Sequence, residues 1–339
     1  MSNEFFGLNI STKRQSSLYW KLVGIHIQSA LEKAVKMFQI IQDTVSLLRK
    51  KNSIIPSDNK SEKHIKINFS DFWPGFNKDD NYFVELLMTQ YTLEITDKPD
   101  FLIYSAFGSE HKKFNCTKIF YTGENVRPNF KECDYAFSFD FINNPKNYRL
   151  PLYAWWISPN DLVKPPGFDA RKILSQKNRF CNFIYGNPNA TKRIAFMQKL
   201  SKYKQVDCGG TLLNNVGRVI TEMEKVSFIK DYKFTIAFEN CEYPGYTTEK
   251  LVQPMLVYSM PIYCGNPSID KDFNTKSFLN YADFSSEDEL IERIIEMDQN
   301  DELYMEYLNQ PYYYNNQVNE FIDPSNIIRQ FQLIFERKN

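Results

Sequence analysis

From His64 onward the chain alternates short apolar or β-branched runs with helix-like segments, and it does so twice in tandem. A helix inserted between successive strands carries the chain back across the sheet and makes the strands parallel, so this pattern predicts an α/β protein with helices on both faces of parallel sheets. The first unit predicts strands at 64–69, 91–96, 101–105, 118–122 and 135–139, with a helix at 82–90. The stretch HIKINF alternates polar and apolar residues as a half-buried strand does. Residues 157–170 (ISPNDLVKPPGFDA) break the pattern with three prolines and mark a domain boundary. The second unit predicts strands at 179–185, 205–208, 233–238 and 260–264, and helices at 190–204, 247–259, 286–298, 300–309 and 325–337. Asn187 or Asn189 can cap the helix at 190, and Pro254 predicts a kink. Two α/β units in tandem enclose a cleft, where such folds collect their ligands.

Ahead of both units lies a different kind of segment. Residues 18–50 predict one long helix, in which Ile27, Leu31, Ala34, Phe38, Ile41, Val45 and Leu48 step alternately by four and three. That is a heptad seam. It fits packing on its own domain, self-association as a homodimer, or a basic helix lying on a membrane surface. Residues 51–63 read as a linker. The division expected is an N-terminal extension at 1–63, domains at 64–160 and 161–310, and a helical segment at 311–339 that can cross back to the first domain.

Composition removes several function classes. Lys+Arg 41 against Asp+Glu 41 cancels the net charge, which argues against a broad electrostatic grip on nucleic acid. The start, Met1-Ser2-Asn3-Glu4, has no basic region followed by an apolar run, so no export leader is expected, and no apolar stretch reaches membrane-spanning length. The nearest cysteines, Cys116 and Cys133, are 17 positions apart, so zinc-ligand spacing is absent; the six cysteines read as reduced thiols in a cytoplasmic chain. His26, His64 and His111 read as structural or surface residues. No glycine-rich dinucleotide or P-loop fingerprint occurs. Asp270-Lys271-Asp272 resembles a D-x-D metal motif but reads better as a loop carrying two solvated acids, so no metal site is expected.

Three segments carry chemistry. In Phe120-Tyr121-Thr122-Gly123-Glu124-Asn125, a carboxylate follows a glycine at the end of a strand, where α/β sheets face their ligands. Partial burial there raises a carboxylate toward the working range of a general base. In Tyr185 to Arg193 a helix start follows a strand and aims free N–H groups at an anion, with Arg193 one turn in. In Phe234 to Lys250 an apolar strand runs through Glu239 and Asn240 into a second helix start. Lys250 opposes the dipole of that helix unless an anion is present, and a diphosphate resolves the conflict while Glu249 accepts ribose hydroxyls.

The segments FYTGENVRPNF, GNPNATKRIAF and FTIAFENCEYPGYTTEKLVQPMLVYSMPIYCGNPSIDKDF resemble the α-1,3-fucosyltransferases of glycosyltransferase family 10, especially bacterial ones. The resemblance runs from about residue 64 to about residue 310. It implies a GT-B architecture, with two Rossmann-like domains facing a central cleft and GDP-β-L-fucose held on the C-terminal one. It implies inverting transfer of fucose to a sugar hydroxyl, with an oligosaccharide or lipid-linked N-acetyllactosamine-type glycan as acceptor. Glu124 matches the family's general base. Arg193 and Lys250 match the cations that neutralise the diphosphate, Tyr246 a diphosphate contact, Glu249 the ribose-binding carboxylate, and Asn240 a residue lining the nucleotide site. No cofactor is required under this reading, although a divalent metal can stimulate. The acceptor side falls in 64–156, where Trp73, Tyr153, Trp155 and Trp156 are candidate stacking surfaces that compete with core packing for at least two of the four. Many bacterial members carry heptad repeats and a basic tail at the C-terminus, whereas this chain carries its seam at the N-terminal side. The resemblance leaves open α-1,4 or mixed linkage and another GDP-sugar.

Overall fold

The computed structural model describes residues 63–336; the helix expected over 18–50, with its seam, lies outside the described residues. The first domain contributes β1 (His64–Ser70), β2 (Thr92–Ile95), β3 (Phe101–Tyr104), β4 (Thr117–Tyr121), β5 (Tyr135–Ser138) and β6 (Asn147–Arg149). They form one parallel sheet in the order β2-β1-β3-β4-β5-β6. Its register stacks apolar residues across the middle: Ile67 opposite Ile95 and Phe101, and Ile119 opposite Ile103 and Tyr135. β6 was not expected, because three residues reading Asn-Tyr-Arg show no apolar alternation; its place comes from backbone pairing with β5.

The two faces of this sheet are covered differently. Helix α1 (Tyr82–Met88) starts where the Asn81 side chain accepts from the Phe83 and Val84 amides, and it buries Phe83, Val84, Leu86 and Leu87. The opposite face carries Leu102, Tyr104, Phe120 and Ala136. Among the described residues no α-helix lies on that second face; the 3-10 turn Glu110–Lys113 lies there, with His111 stacked on Tyr104 at 4.1 Å. His111 is held by Asp71 at 2.7 Å, the structural role read for it.

The chain then crosses to the second domain through a 3-10 turn at Leu152–Trp155, another at Pro159–Leu162 and helix α2 (Ala170–Leu174). The second sheet is also parallel. Its strands are β7 (Arg179–Phe183), β8 (Val206–Cys208), β9 (Tyr232–Phe238), β10 (Met260–Cys264) and β11 (Leu279–Asn280), in the order β11-β10-β9-β7-β8. Around it stand α3 (Thr191–Leu200), α4 (Glu222–Ile229), α5 (Glu249–Leu256), α6 (Glu287–Gln299) and α7 (Asp301–Asn309). β9, buried along almost its whole length, is the central strand and its far end opens on the cleft.

Three local expectations are corrected. Asn187 and Asn189 do not cap α3: Asn187 Oδ1 accepts from the Asn189 amide, and the helix begins after Ala190 with no side-chain cap. That leaves donors at its N-terminus free. The helix expected over 247–259 is shorter: α5 runs from Glu249 to Leu256, two residues past Pro254, and Tyr258 turns the chain at φ 55°. Helix α4 was not expected, although Thr221 and Glu224 form a capping box that the sequence displays.

After α7 the chain returns to the first domain. Helix α8 (Pro324–Glu336) lays Ile327, Phe331, Ile334 and Phe335 along one buried face. Phe331 stacks on Phe137 at 4.5 Å and Phe335 lies 4.5 Å from Phe101. At about 1.5–3 kcal/mol per fully buried large apolar side chain, this stripe fixes the returning helix on the first sheet.

Candidate active site

Glu124 lies three residues beyond β4. Its amide donates to Thr122 Oγ1 at 3.0 Å. Gly123 sits in close approach to Leu152: a Cβ there would come within 2.6 Å of the Leu152 side chain, which would have to move. The loop is fastened across the cleft: Asn125 Nδ2 lies 2.9 Å from Cys241 Sγ, and the Arg127 guanidinium sits 3.4 Å over the Tyr243 ring. Burial raises the Glu124 carboxyl above its ordinary pKa; Lys250 opposes that shift and Glu249 adds to it. Glu124 thus belongs to one electrostatic group with two residues of the other domain.

The donor side is built on the end of β9. Glu239, the next residue, is buried, and burial raises its carboxyl. Its Oε1 accepts from the Thr248 amide at 2.7 Å and its Oε2 from Thr248 Oγ1 at 2.8 Å. Lys250 Nζ lies 3.1 Å from Glu249 Oε1 and 3.5 Å from Glu239 Oε2. The expectation that Lys250 stands uncompensated at the helix start is therefore corrected: two carboxylates flank it and hold its pKa above the ordinary lysine value. Burial alone would raise Glu249, but the Lys250 and Lys225 ammoniums hold it at about 2. Both residues are charged at neutral pH.

Arg193 projects from the open start of α3. Its Nη2 donates to Glu239 O at 3.1 Å and to Asn240 Oδ1 at 2.8 Å, and its guanidinium carbon lies 4.3 Å over the Tyr185 ring. No described carboxylate pairs with it. Arg193, Asn240, Glu249 and Lys250 share one cavity of about 210 Å³. Tyr246 does not line that cavity; it is buried at the domain junction, 5.3 Å from Phe139, within electrostatic range of Glu124 and Lys250. Gly245, at φ 84°, brings the Tyr246 loop so close that a Cβ would lie 2.3 Å from Phe139 O.

The structure thus gathers Glu124, Arg193, Asn240, Tyr246, Glu249 and Lys250 around one cleft. Glu239 was missed as a member; the signal was its place beside Asn240 at the end of the most apolar strand. Of the four candidate stacking residues, two are packed in the core, in keeping with the expected competition. Trp155 is no free stacking face: it is buried, stacked on Tyr121 at 4.9 Å and on Tyr82 at 5.4 Å. Tyr153 is fully buried with its hydroxyl on Asp272. Trp73, edge-on to Trp155 at 5.7 Å, and Trp156 are half-buried. Asp272 is not solvated, nor does it pair with Asp270 as a metal motif: Arg149 of the first domain holds both of its oxygens.

Residues 67–156 match the model of the alpha-(1,3)-fucosyltransferase FucT N-terminal domain, and residues 174–331 match that of the glycosyltransferase family 10 (fucosyltransferase) C-terminal region. The chain belongs to glycosyltransferase family 10. It is 31% identical over 310 residues to an alpha-(1,3)-fucosyltransferase FucT of Helicobacter pylori, a match covering 79% of this chain and 63% of that protein. A 32% identical match over 208 residues links it to the bovine 4-galactosyl-N-acetylglucosaminide 3-alpha-L-fucosyltransferase 9, covering 51% of this chain and 57% of that one. The chain therefore spans less than two thirds of the length of these relatives. Among solved structures, an alpha1,3-fucosyltransferase crystal structure superimposes with TM-score 0.72 at 28% identity over 88% of this chain and 97% of that one. Another, described as holding GDP-fucose, gives TM-score 0.69 at 27% identity over 89% and 98%. The two facing parallel-sheet domains are the GT-B architecture of these neighbours.

Proposed function

We propose that the protein is an inverting α-1,3-fucosyltransferase that moves L-fucose from GDP-β-L-fucose to a GlcNAc hydroxyl of an N-acetyllactosamine-type glycan. The observation that carries the reading is the convergence, across one cleft, of the Glu124 carboxyl on one domain with the buried Arg193 and the mostly buried Lys250 on the other. The Glu124 carboxylate takes the proton of the acceptor hydroxyl as that oxygen forms the bond to fucose C1. The bond from C1 to the diphosphate oxygen breaks on the opposite face, and its electron pair leaves with GDP. Attack opposite the leaving group turns the β-linked donor into an α-linked product. Charge grows on the diphosphate as the bond breaks, and Arg193, Lys250 and the uncapped start of α3 stabilise it there. The leaving group needs positive charge rather than a proton, so one carboxylate suffices. Arg193 and Lys250 supply that charge, and a divalent metal is at most stimulatory.

The acceptor assignment draws on the names of the relatives and on the half-buried Trp73 and Trp156 beside the cleft-facing ends of the first sheet. The six free thiols suit a reducing compartment, and we place the enzyme in the cytoplasm, acting on glycans there.

The test is GDP release from GDP-fucose, with and without N-acetyllactosamine, for wild type and Glu124→Gln. Acceptor-dependent release is expected in the wild type, with a fall of about 10²–10⁴-fold in kcat in the variant and GDP binding retained. Release that ignores the acceptor would overturn the transfer reading, and a variant as fast as wild type would remove Glu124 from the base role. Linkage analysis of the product distinguishes α-1,3 from α-1,4 transfer.

A further inference from the structure

Beyond the residues assigned to diphosphate and ribose, the cavity continues toward α4, and its far wall is polar. Glu222 and Lys225 stand there one turn apart, with Lys225 Nζ 3.6 Å from Glu222 Oε1 and both side chains mostly buried. Glu222 Oε1 also accepts from Gln253 Nε2 of α5 at 2.7 Å, which fixes the carboxylate against the helix that carries Glu249 and Lys250. Its Oε2 has no protein donor among the described residues. On the cavity floor is Asn182, fully buried in the middle of β7. Its Nδ2 donates to Phe234 O and Thr235 Oγ1, which sets the amide orientation, and its Oδ1 is left without a partner. A buried acceptor with no donor is costly unless a ligand supplies one. Lys225 is also close enough to Glu249 to lower its pKa, so this wall adjoins the residue assigned to the ribose.

We propose that Glu222 and Lys225, backed by Asn182, read the nucleobase of the donor and select guanine. The inference rests on the GDP-sugar reading above and names the residues that make it specific. Guanine presents an acceptor, O6, beside two donors, N1–H and the 2-amino group. A carboxylate takes the two donors and a neighbouring ammonium gives to O6, so the Glu222–Lys225 pair matches that edge. Adenine reverses the order, setting its N1 acceptor against the carboxylate. Uracil places carbonyls on both sides of its single N–H, one of them against Glu222. A site built to hydrogen-bond polar groups rejects a base that leaves those groups unpaired.

The experiment is calorimetric titration of the full chain with GDP, IDP, ADP and UDP. IDP carries hypoxanthine, which is guanine without its 2-amino group. Wild type is expected to bind GDP about 10- to 100-fold more tightly than IDP, as befits one hydrogen bond to a charged group, and to bind ADP and UDP more weakly still. In Glu222→Ala the preference for GDP over IDP disappears; Glu222→Gln, which keeps the side-chain volume, lowers it. In Lys225→Met both GDP and IDP weaken while their ratio stays. A Glu222→Ala chain that binds GDP but keeps the wild-type GDP-to-IDP ratio would overturn the inference alone. So would a Lys225→Met chain that weakens all four nucleotides equally, which would make Lys225 a phosphate contact. A wild-type chain that binds none of them, or prefers UDP or ADP, would overturn the GDP-sugar reading as well.

Discussion

Arg149 and Arg193 are both nearly inaccessible, at 6% and 2% exposure, yet their surroundings differ in kind. Arg149, at the end of β6, is saturated. Its Nη1 and Nη2 meet the two Asp272 oxygens at 2.5 and 2.7 Å, its Nε donates to Phe139 O at 3.1 Å, and Phe141 and Phe321 cover its faces. Arg193 has one nitrogen committed, to a carbonyl and an amide oxygen, and opens on a cavity. Both guanidiniums have been taken out of water, and desolvation is tolerable only when a counter-charge compensates it. In the first case the counter-charge is built in, and the pair joins the two domains. In the second it is left for a ligand. The contrast separates structural charge from functional charge without reference to any relative.

The largest effect expected from this contrast is on stability. Arg149→Met strands Asp272 in the domain junction and should cost about 3–5 kcal/mol in a urea unfolding experiment. Replacing both partners, Arg149→Met with Asp272→Leu, should recover most of that loss. If the single variant is as stable as wild type, Arg149 is not a clamp and the contrast falls.

Arg193→Met should behave in the opposite manner. It removes an unpaired buried cation, so the melting temperature stays or rises, while kcat/KM falls by about 10²–10³-fold through lost charge stabilisation. Paired measurements of Tm and turnover on the same preparation decide it. A fall in Tm comparable to that of Arg149→Met would make Arg193 a structural residue and erase the distinction.

What could be read in the sequence divides along the same line. Strand–helix alternation is a local pattern and located both sheets, and the run from Phe234 to Lys250 marked three residues that line the cavity, Asn240, Glu249 and Lys250. Glu124 stood out as a candidate because a carboxylate after a glycine at a strand end faces the side where α/β sheets meet their ligands. The Arg149–Asp272 pair was not readable, because its members lie 123 positions apart and meet only through the packing of two domains. Asp272 looked like half of a metal motif for the same reason: a solvated acid and a buried one are the same letter. Glu239 was passed over beside Asn240 because its role depends on being buried under Thr248 and Lys250. Trp155 was offered as a sugar platform, since nothing local records that Tyr82 and Tyr121 sandwich it.

A third buried cation gives the smallest effect, and a sharper one. Lys164 pairs with no carboxylate among the described residues; its ammonium donates to the carbonyls of Leu308 and Gln310 at the end of α7, with the Phe168 and Tyr312 rings 4.8 and 4.6 Å away. Burial lowers its pKa from 10.5 to about 7. Below pH 7 the folded and unfolded chains both hold the proton, so the pH dependence from this group is flat. Between pH 7 and 10.5 the unfolded chain holds a proton that the folded chain has released, so the free energy of unfolding rises with pH. Relative to Lys164→Met, wild type should therefore gain on the order of 1–2 kcal/mol between pH 7 and pH 9. Unfolding curves at the two pH values, for both chains, read this directly. A difference between the chains that does not change with pH would mean that Lys164 keeps its proton throughout, held by the helix-end carbonyls and ring faces alone. Carbonyl dipoles would then compensate a buried cation as Asp272 does for Arg149, and the open state of Arg193 would be the exception among the three.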